Sequence, residues 1–80
     1  MVVSRGQLKI MQILAKRLID LRAQKNVSRR EVSVIVGISE RTYIRYENGE
    51  RDPDAPVLKR LADYYDVSAD YLLGRKDTPN

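Results

Sequence analysis

The sequence contains neither cysteine nor histidine, and these two absences exclude several classes of function. Without them there are no disulfides, no thiolate or imidazole metal ligands, no Cys-His or Ser-His nucleophile pairs and no histidine-based proton transfer. Carboxylate chemistry stays open in principle, but the Asp and Glu residues are scattered and show no EF-hand spacing. We therefore expect no catalytic residues, no metal site and no cofactor.

Long apolar runs are also missing, because no unbroken apolar stretch exceeds three residues. A membrane-spanning helix needs about 18, and Lys9 interrupts the apolar residues that a secretory signal would require near the N-terminus. We expect no membrane contact and a cytoplasmic location. The 80 residues are predicted to form a single domain over 1–80, with disordered or frayed ends at about 1–4 and 75–80.

The charge that is present is distributed unevenly along the chain. Residues 1–51 contain 11 Lys and Arg against 5 Asp and Glu, whereas residues 52–80 contain 4 against 6. A basic field on one part of a domain favours a polyanionic partner such as nucleic acid. An uneven but merely solvated surface would show the same counts, so the partner must be inferred from the motifs.

The apolar periodicity is helical throughout and predicts an all-α fold of five helices. Leu14, Leu18 and Leu21 recur at the spacing of one buried helix face, and a capping box of Ser4 with Gln7 predicts that this first helix begins upstream of them. The remaining helix starts are marked by N-cap residues, namely Ser28, Ser39, Asp54 and Ser68. Glycines or Asn-Gly mark several ends, at Gly37, Asn48-Gly49 and Gly74.

The second helix carries a conflict, because residues 32–36 are rich in β-branched side chains and resemble a strand when taken alone. Ser28 with Glu31 forms a capping box at one end, and Gly37 is a typical residue just beyond a helix end. These two signals agree on the length of a helix. We therefore predict a helix here rather than a strand.

A very short turn around Gly37 joins the second and third helices. A turn of three to four residues that contains glycine sets two helices at a steep angle, as in the helix-turn-helix. The third helix, 39–48, then presents a polar, Arg-bearing face that fits the major groove of DNA. The motif at about 28–49 thus predicts binding to double-stranded DNA.

This pattern resembles the lambda-repressor-like helix-turn-helix family, of the Xre/Cro type. The resemblance covers roughly residues 14–74 and predicts a five-helix lambda-repressor-like DNA-binding domain. The residues that carry it are Leu21-Arg22, Ser28 with Glu31, Gly37-Ile38-Ser39, Tyr46-Glu47-Asn48-Gly49, Arg51, Pro53, Leu61-Ala62 and the segment 67–74.

The resemblance implies roles for individual residues. It implies that the outer face of the third helix contacts DNA bases, at Glu40, Arg41, Thr42 and Arg45. Arginine can donate two hydrogen bonds to guanine, and glutamate can accept one from cytosine. Glu40 would also suit the positive end of the helix without contacting DNA. Contacts to DNA phosphate are implied at positions that flank this helix, namely Ser28, Arg29, Ser39, Asn48 and Arg51.

The resemblance also implies a structural ion pair, Arg22 with Glu47, between the first and third helices. It implies a transcriptional repressor or regulator that acts as a homodimer, weak or induced by DNA, on a palindromic operator. The dimer surface is expected on either the first or the last helix. The apolar residues Ile10, Val34 and Ile35 favour an alternative, an antitoxin or a protein-interaction module with the same fold and a protein partner.

Overall fold

The computed structural model describes residues 5–80, with the backbone alone for Arg5, Gln7, Leu8 and Ile10. Within this range the chain is all-helical and contains no strand, so the predicted five-helix fold is confirmed. None of these helices is long and apolar enough to cross a membrane. The helices in chain order are α1 (Arg5–Lys25), α2 (Arg29–Val36), α3 (Glu40–Glu47), α4 (Ala55–Tyr65) and α5 (Ala69–Leu72).

Four of the five helices begin where the sequence places an N-cap. The side chains of Ser28, Ser39, Asp54 and Ser68 each accept a hydrogen bond from the backbone N–H three residues later, at 3.0 to 3.1 Å. Each such cap contributes about 1 kcal/mol to helix stability. The capping box proposed for Ser4 and Gln7 and the frayed end at 1–4 lie outside the described residues, as do the side chains of Leu8 and Ile10.

The β-branched segment 32–36 is helical, as the caps indicate. Val32, Ser33 and Val36 are buried, whereas Val34 is 70% exposed. A strand would place residues 32, 34 and 36 on the same face, so this burial pattern fits a helix alone. Ser33 satisfies its buried hydroxyl by donating to the Arg30 carbonyl oxygen at 2.7 Å.

The core forms where α1 meets the other helices. Leu14 and Leu18 of α1 are completely buried together with Tyr43 of α3, Leu61 of α4 and Leu72 of α5. Helix α1 packs against α3, α4 and α5, and α2 packs against α3 and α4. Helix α3 is therefore supported from behind by two helices, and its other side faces outward.

The C-terminal tail, for which the sequence predicts frayed residues at 75–80, contacts other parts of the domain. The backbone N–H of Ser68 donates to the carbonyl oxygen of Pro79 at 2.7 Å, and the Arg17 guanidinium donates to the carbonyl oxygen of Lys76 at 2.8 Å. The tail thus returns to α1 and to the start of α5. These contacts join residues far apart in sequence, and local composition does not indicate them.

Candidate nucleic-acid interface

The turn between α2 and α3 is closed by Gly37. This residue has φ = +79°, a left-handed conformation that glycine adopts without steric cost. The N–H groups of Gly37 and Ile38 both donate to the carbonyl oxygen of Ser33, at 2.9 and 3.0 Å. Only Ile38 then separates the glycine from Ser39, the N-cap of α3, so the two helices are joined by a tight turn.

Helix α3 has two clearly different faces. Tyr43 and Tyr46 are buried in the core, with exposed fractions of 0% and 3%, and Glu47 is buried beside them at 3%. Glu40, Arg41 and Arg45 are exposed on the other side. The buried tyrosines fix the rotation of the helix about its axis, and this rotation leaves the polar face open to solvent.

The two arginines of this face lie at i, i+4 spacing, so they share one side of the helix. None of the ion pairs that form among residues 5–80 involves Arg41 or Arg45. Their guanidinium groups are therefore not paired with a carboxylate of the described residues and can meet an external anion or base edge. Thr42 is half-buried, and its hydroxyl accepts a hydrogen bond from Ser39 at 2.8 Å. Ile44 is also half-buried.

The residues expected to contact phosphate are all exposed, and they surround α3 at its two ends and at the start of α2. The Ser28 and Ser39 oxygens act as N-caps, which leaves the unpaired N–H groups of two helix starts nearby. Asn48 already donates its side-chain amide to Glu50 at 2.9 Å. Arg51 follows in the same loop.

Glu47 joins three helices through one buried carboxylate. Arg22 of α1 donates to it at two points, from Nε to Oε2 at 2.7 Å and from Nη2 to Oε1 at 3.2 Å. Arg29 of α2 donates from Nε to Oε1 at 3.0 Å. The side chain of Glu47 is 1% exposed, whereas that of Arg22 is 21% and that of Arg29 is 46% exposed.

This environment keeps Glu47 ionised. Burial by itself would raise the pKa of its carboxyl group, but hydrogen bonding from Arg22, Tyr43 and Arg29 outweighs that effect, and the pKa lies below the ordinary value. A carboxylate that is deprotonated inside the protein needs such partners, because an uncompensated buried charge is strongly unfavourable.

A second polar contact lies directly beside this carboxylate. The hydroxyl groups of Tyr43 and Tyr65 are 2.7 Å apart and buried. Burial raises the pKa of Tyr65 to about 12, and it also raises the pKa of Tyr43, so both phenols stay neutral at physiological pH. Helix α4 is thereby linked to the inner face of α3.

Two features of this cluster are absent from the sequence-based assignment. Arg29 was expected to contact phosphate alone, yet it also pairs with Glu47, which lies 18 positions away. The Tyr43–Tyr65 contact spans 22 positions. No local spacing signals either contact, because helical periodicity relates only residues within a few turns.

Apolar side chains are exposed on the outer side of α2. Val34 is 70% and Ile35 is 57% exposed, and Ile19 of α1 is 42% exposed.

Among residues 5–80 no group of three or more acidic side chains is placed to hold a metal ion.

Comparison with known proteins identifies the family to which this sequence belongs. The family model described as Helix-turn-helix matches residues 18–72, which include α2 to α5 and part of α1. No solved structure matches the chain significantly.

Three curated relatives illustrate the similarity. The HTH-type transcriptional regulator AnsR of Bacillus subtilis is 43% identical over 75% of this chain and 52% of its own length. The HTH-type transcriptional regulator ImmR of Bacillus subtilis is 36% identical over 80% of the chain and 50% of its own length. The cryptic phage CTXphi transcriptional repressor RstR of Vibrio cholerae is 27% identical over 82% of the chain and 60% of its own length. The chain thus spans about half the length of the first two.

Proposed function

The chain belongs to the lambda-repressor-like helix-turn-helix family, and from this premise we propose that it binds specific double-stranded DNA sequences and regulates transcription. Helix α3 enters the major groove, where base edges present a distinct pattern of donors and acceptors. The curated relatives are transcriptional regulators by name, in agreement with the expectation that the chain is not an enzyme.

One observation carries this proposal. Arg41 and Arg45 stand exposed and outside every ion pair of the described residues, on a helix whose opposite face is anchored by Tyr43 and Tyr46. A rigid helix with two uncommitted guanidinium groups on one side suits bidentate recognition of guanine O6 and N7. We therefore assign G·C pairs in the half-site to these two arginines, with Glu40 and Thr42 as further base-reading residues.

Residues around α3 provide the contacts to phosphate. Such contacts fix the orientation of a protein on DNA without reading its sequence. Exposed side chains and two helix N-termini meet this need. The residues we assign to this role are Ser28, Arg29, Ser39, Asn48 and Arg51.

We further propose that the protein represses transcription as a dimer on a palindromic operator. A relative of similar sequence is a phage repressor by name, and a domain bound over a promoter blocks access to it. Two copies that present α3 about 34 to 36 Å apart would match one turn of the DNA helix. The surfaces available for the dimer are on α1 and α5.

A salt series of DNA binding tests the proposal. Affinity for the DNA upstream of the protein's own gene is compared with affinity for random duplex. Log affinity is expected to fall with log salt, with a slope of about −0.9 for each phosphate contact. The upstream DNA should bind at least about 10³-fold more tightly than random duplex, and equal, weak binding to both duplexes would reject sequence-specific regulation.

Exposed Val34 and Ile35 favour a second candidate function, that of an antitoxin or another protein-interaction module. Large apolar side chains exposed next to each other on one helix are characteristic of protein contacts when they form a wider patch. In that case Val34→Ser with Ile35→Ser would abolish capture of a protein partner while DNA binding stays unchanged. Unchanged partner binding in this double variant would reject the role of α2.

A further inference from the structure

We propose that Glu47 is a positioning residue for DNA binding, which holds Arg29 by its Nε and thereby directs the two terminal amino groups of Arg29 toward a DNA phosphate. This inference rests on the proposed function, because it assigns a mechanism to one phosphate contact of that function. It goes further by giving a buried carboxylate a part in the affinity for DNA.

The two arginines that share Glu47 use their donors differently. Arg22 engages Nε and Nη2 with the carboxylate and Nη1 with the carbonyl oxygen of Val27 at 3.2 Å. Arg29 engages only Nε. Within residues 5–80, Nη1 and Nη2 of Arg29 donate no hydrogen bond, and almost half of its side chain is exposed. Arg22 is thus committed to the fold, whereas Arg29 retains donors for a ligand.

The charges of Glu47, Arg22 and Arg29 also leave an excess of positive charge on the solvent-exposed side. One carboxylate faces two guanidinium groups, so a net charge of +1 remains. Because Arg22 is committed to three protein contacts and is more buried than Arg29, that charge is available at Arg29. Arg29 is the first residue of α2, where unpaired backbone N–H groups add positive potential for an anion.

The geometry favours arginine over lysine at position 29. A guanidinium group donates from Nε on one edge and from its terminal nitrogens beyond it, so it can bind a carboxylate and a phosphate at the same time. Lysine has one nitrogen at the end of a flexible chain. Its three donors share that nitrogen, so it can serve a carboxylate and a phosphate together only where both come within hydrogen-bond distance of one point, whereas a guanidinium group spans them with separate nitrogens.

The test compares two adjacent arginines of α2. Arg30 is exposed and takes part in none of the ion pairs among the described residues, so it is the matched control. Arg29→Gln, Arg29→Lys, Arg30→Gln and Arg30→Lys are assayed for binding to the upstream duplex over a salt series. Thermal unfolding of each variant shows whether its fold is retained.

We expect Arg29→Gln to weaken binding about tenfold, as for one charge-assisted hydrogen bond, and to make the salt slope less negative by about 0.9. Arg29→Lys should weaken binding as much as Arg29→Gln does, although lysine keeps the positive charge. Arg30→Lys should bind like the parent. Binding of Arg29→Lys at the parental level would overturn the inference, because charge alone would then suffice.

A measurement without DNA separates this inference from the proposed function. In the free protein, the Nε–H of Arg29 should exchange with solvent more slowly than that of Arg30, since it is hydrogen-bonded to a buried carboxylate. Equal exchange rates would refute the positioning even if the protein binds DNA. Absence of salt-dependent duplex binding by the parent would refute the proposed function, and slow Arg29 exchange would then show a purely structural pair.

Discussion

The Nε of Arg22 lies 2.7 Å from Oε2 of Glu47, and this contact ties the last turn of α1 to the last residue of α3. The pair has the two-point geometry that makes arginine–carboxylate bonds strong and directional. Because the outer face of α3 is the proposed reading surface, the same contact that stabilises the fold also fixes how that face is presented.

Removing this carboxylate is expected to destabilise the fold. Glu47→Ala leaves Arg22 without its main partner and opens a gap beneath α3, so we expect a loss of about 3–5 kcal/mol in the free energy of unfolding. Denaturant titration followed by circular dichroism measures it. The control is Lys59→Ala, which breaks an exposed pair with Asp63 and should change stability little. A Glu47→Ala variant as stable as the parent would contradict the structural role of the pair.

The stability of the parent should depend on acid pH through Glu47. Folding lowers the pKa of this group below its ordinary value of 4.5, so the folded state binds fewer protons than the unfolded chain as the pH falls. Its stabilisation is therefore present above about pH 4.5 and is lost as the pH falls through the lowered pKa. Unfolding of Glu47→Gln between about pH 6 and pH 3 should show a weaker pH dependence than that of the parent. Parallel curves would contradict the expectation.

Arg41→Ala should relax the DNA sequence preference without affecting the fold. The side chain is exposed on α3 and outside the ion pairs of the described residues, so its removal costs no packing. We expect a loss of about 1–3 kcal/mol of binding free energy and reduced discrimination at one base position. Binding to a set of duplexes with single substitutions measures both. The control is Arg60→Ala on α4, which removes the same charge elsewhere and should leave the sequence preference unchanged. An unchanged sequence preference in Arg41→Ala would contradict the assignment of Arg41 as a base-reading residue.

Glu50→Gln should strengthen DNA binding. The Glu50 carboxylate accepts from the Asn48 amide at 2.9 Å, so a negative charge lies beside a residue proposed to contact phosphate. Glutamine keeps the size and the acceptor oxygen but removes that charge. We expect about a two- to fivefold gain in affinity at low salt, which salt should diminish. Asp77→Asn, an exposed acid in the tail, controls for net charge, and an equal gain there would show that the effect is not local.

Local chemistry was sufficient to predict the helices and their order. A cap joins residues only three positions apart, so Ser28, Ser39 and Ser68 mark helix starts in the sequence itself, and each accepts the expected hydrogen bond. The helical period likewise predicts which side of each helix is apolar. Gly37 marks the turn because the left-handed backbone there favours glycine.

In the candidate site, too, local spacing predicts some residues and not others. The exposed positions of Arg41 and Arg45 follow from helical periodicity, since the tyrosines at 43 and 46 face the core. Only the resemblance to the family predicts the Arg22–Glu47 pair, because its partners are 25 positions apart.

The sequence by itself thus determined the all-helical fold, the starts of α2 to α5 and the polar face of α3. Tertiary structure alone decided that Arg29 shares Glu47 with Arg22, that the Tyr43 and Tyr65 hydroxyls meet, and that the tail returns to Arg17. The physical reason is the distance along the chain between the interacting residues. Caps, turns and amphipathic faces arise from interactions within a few residues, whereas buried polar contacts depend on how separate helices pack and carry no period along the chain.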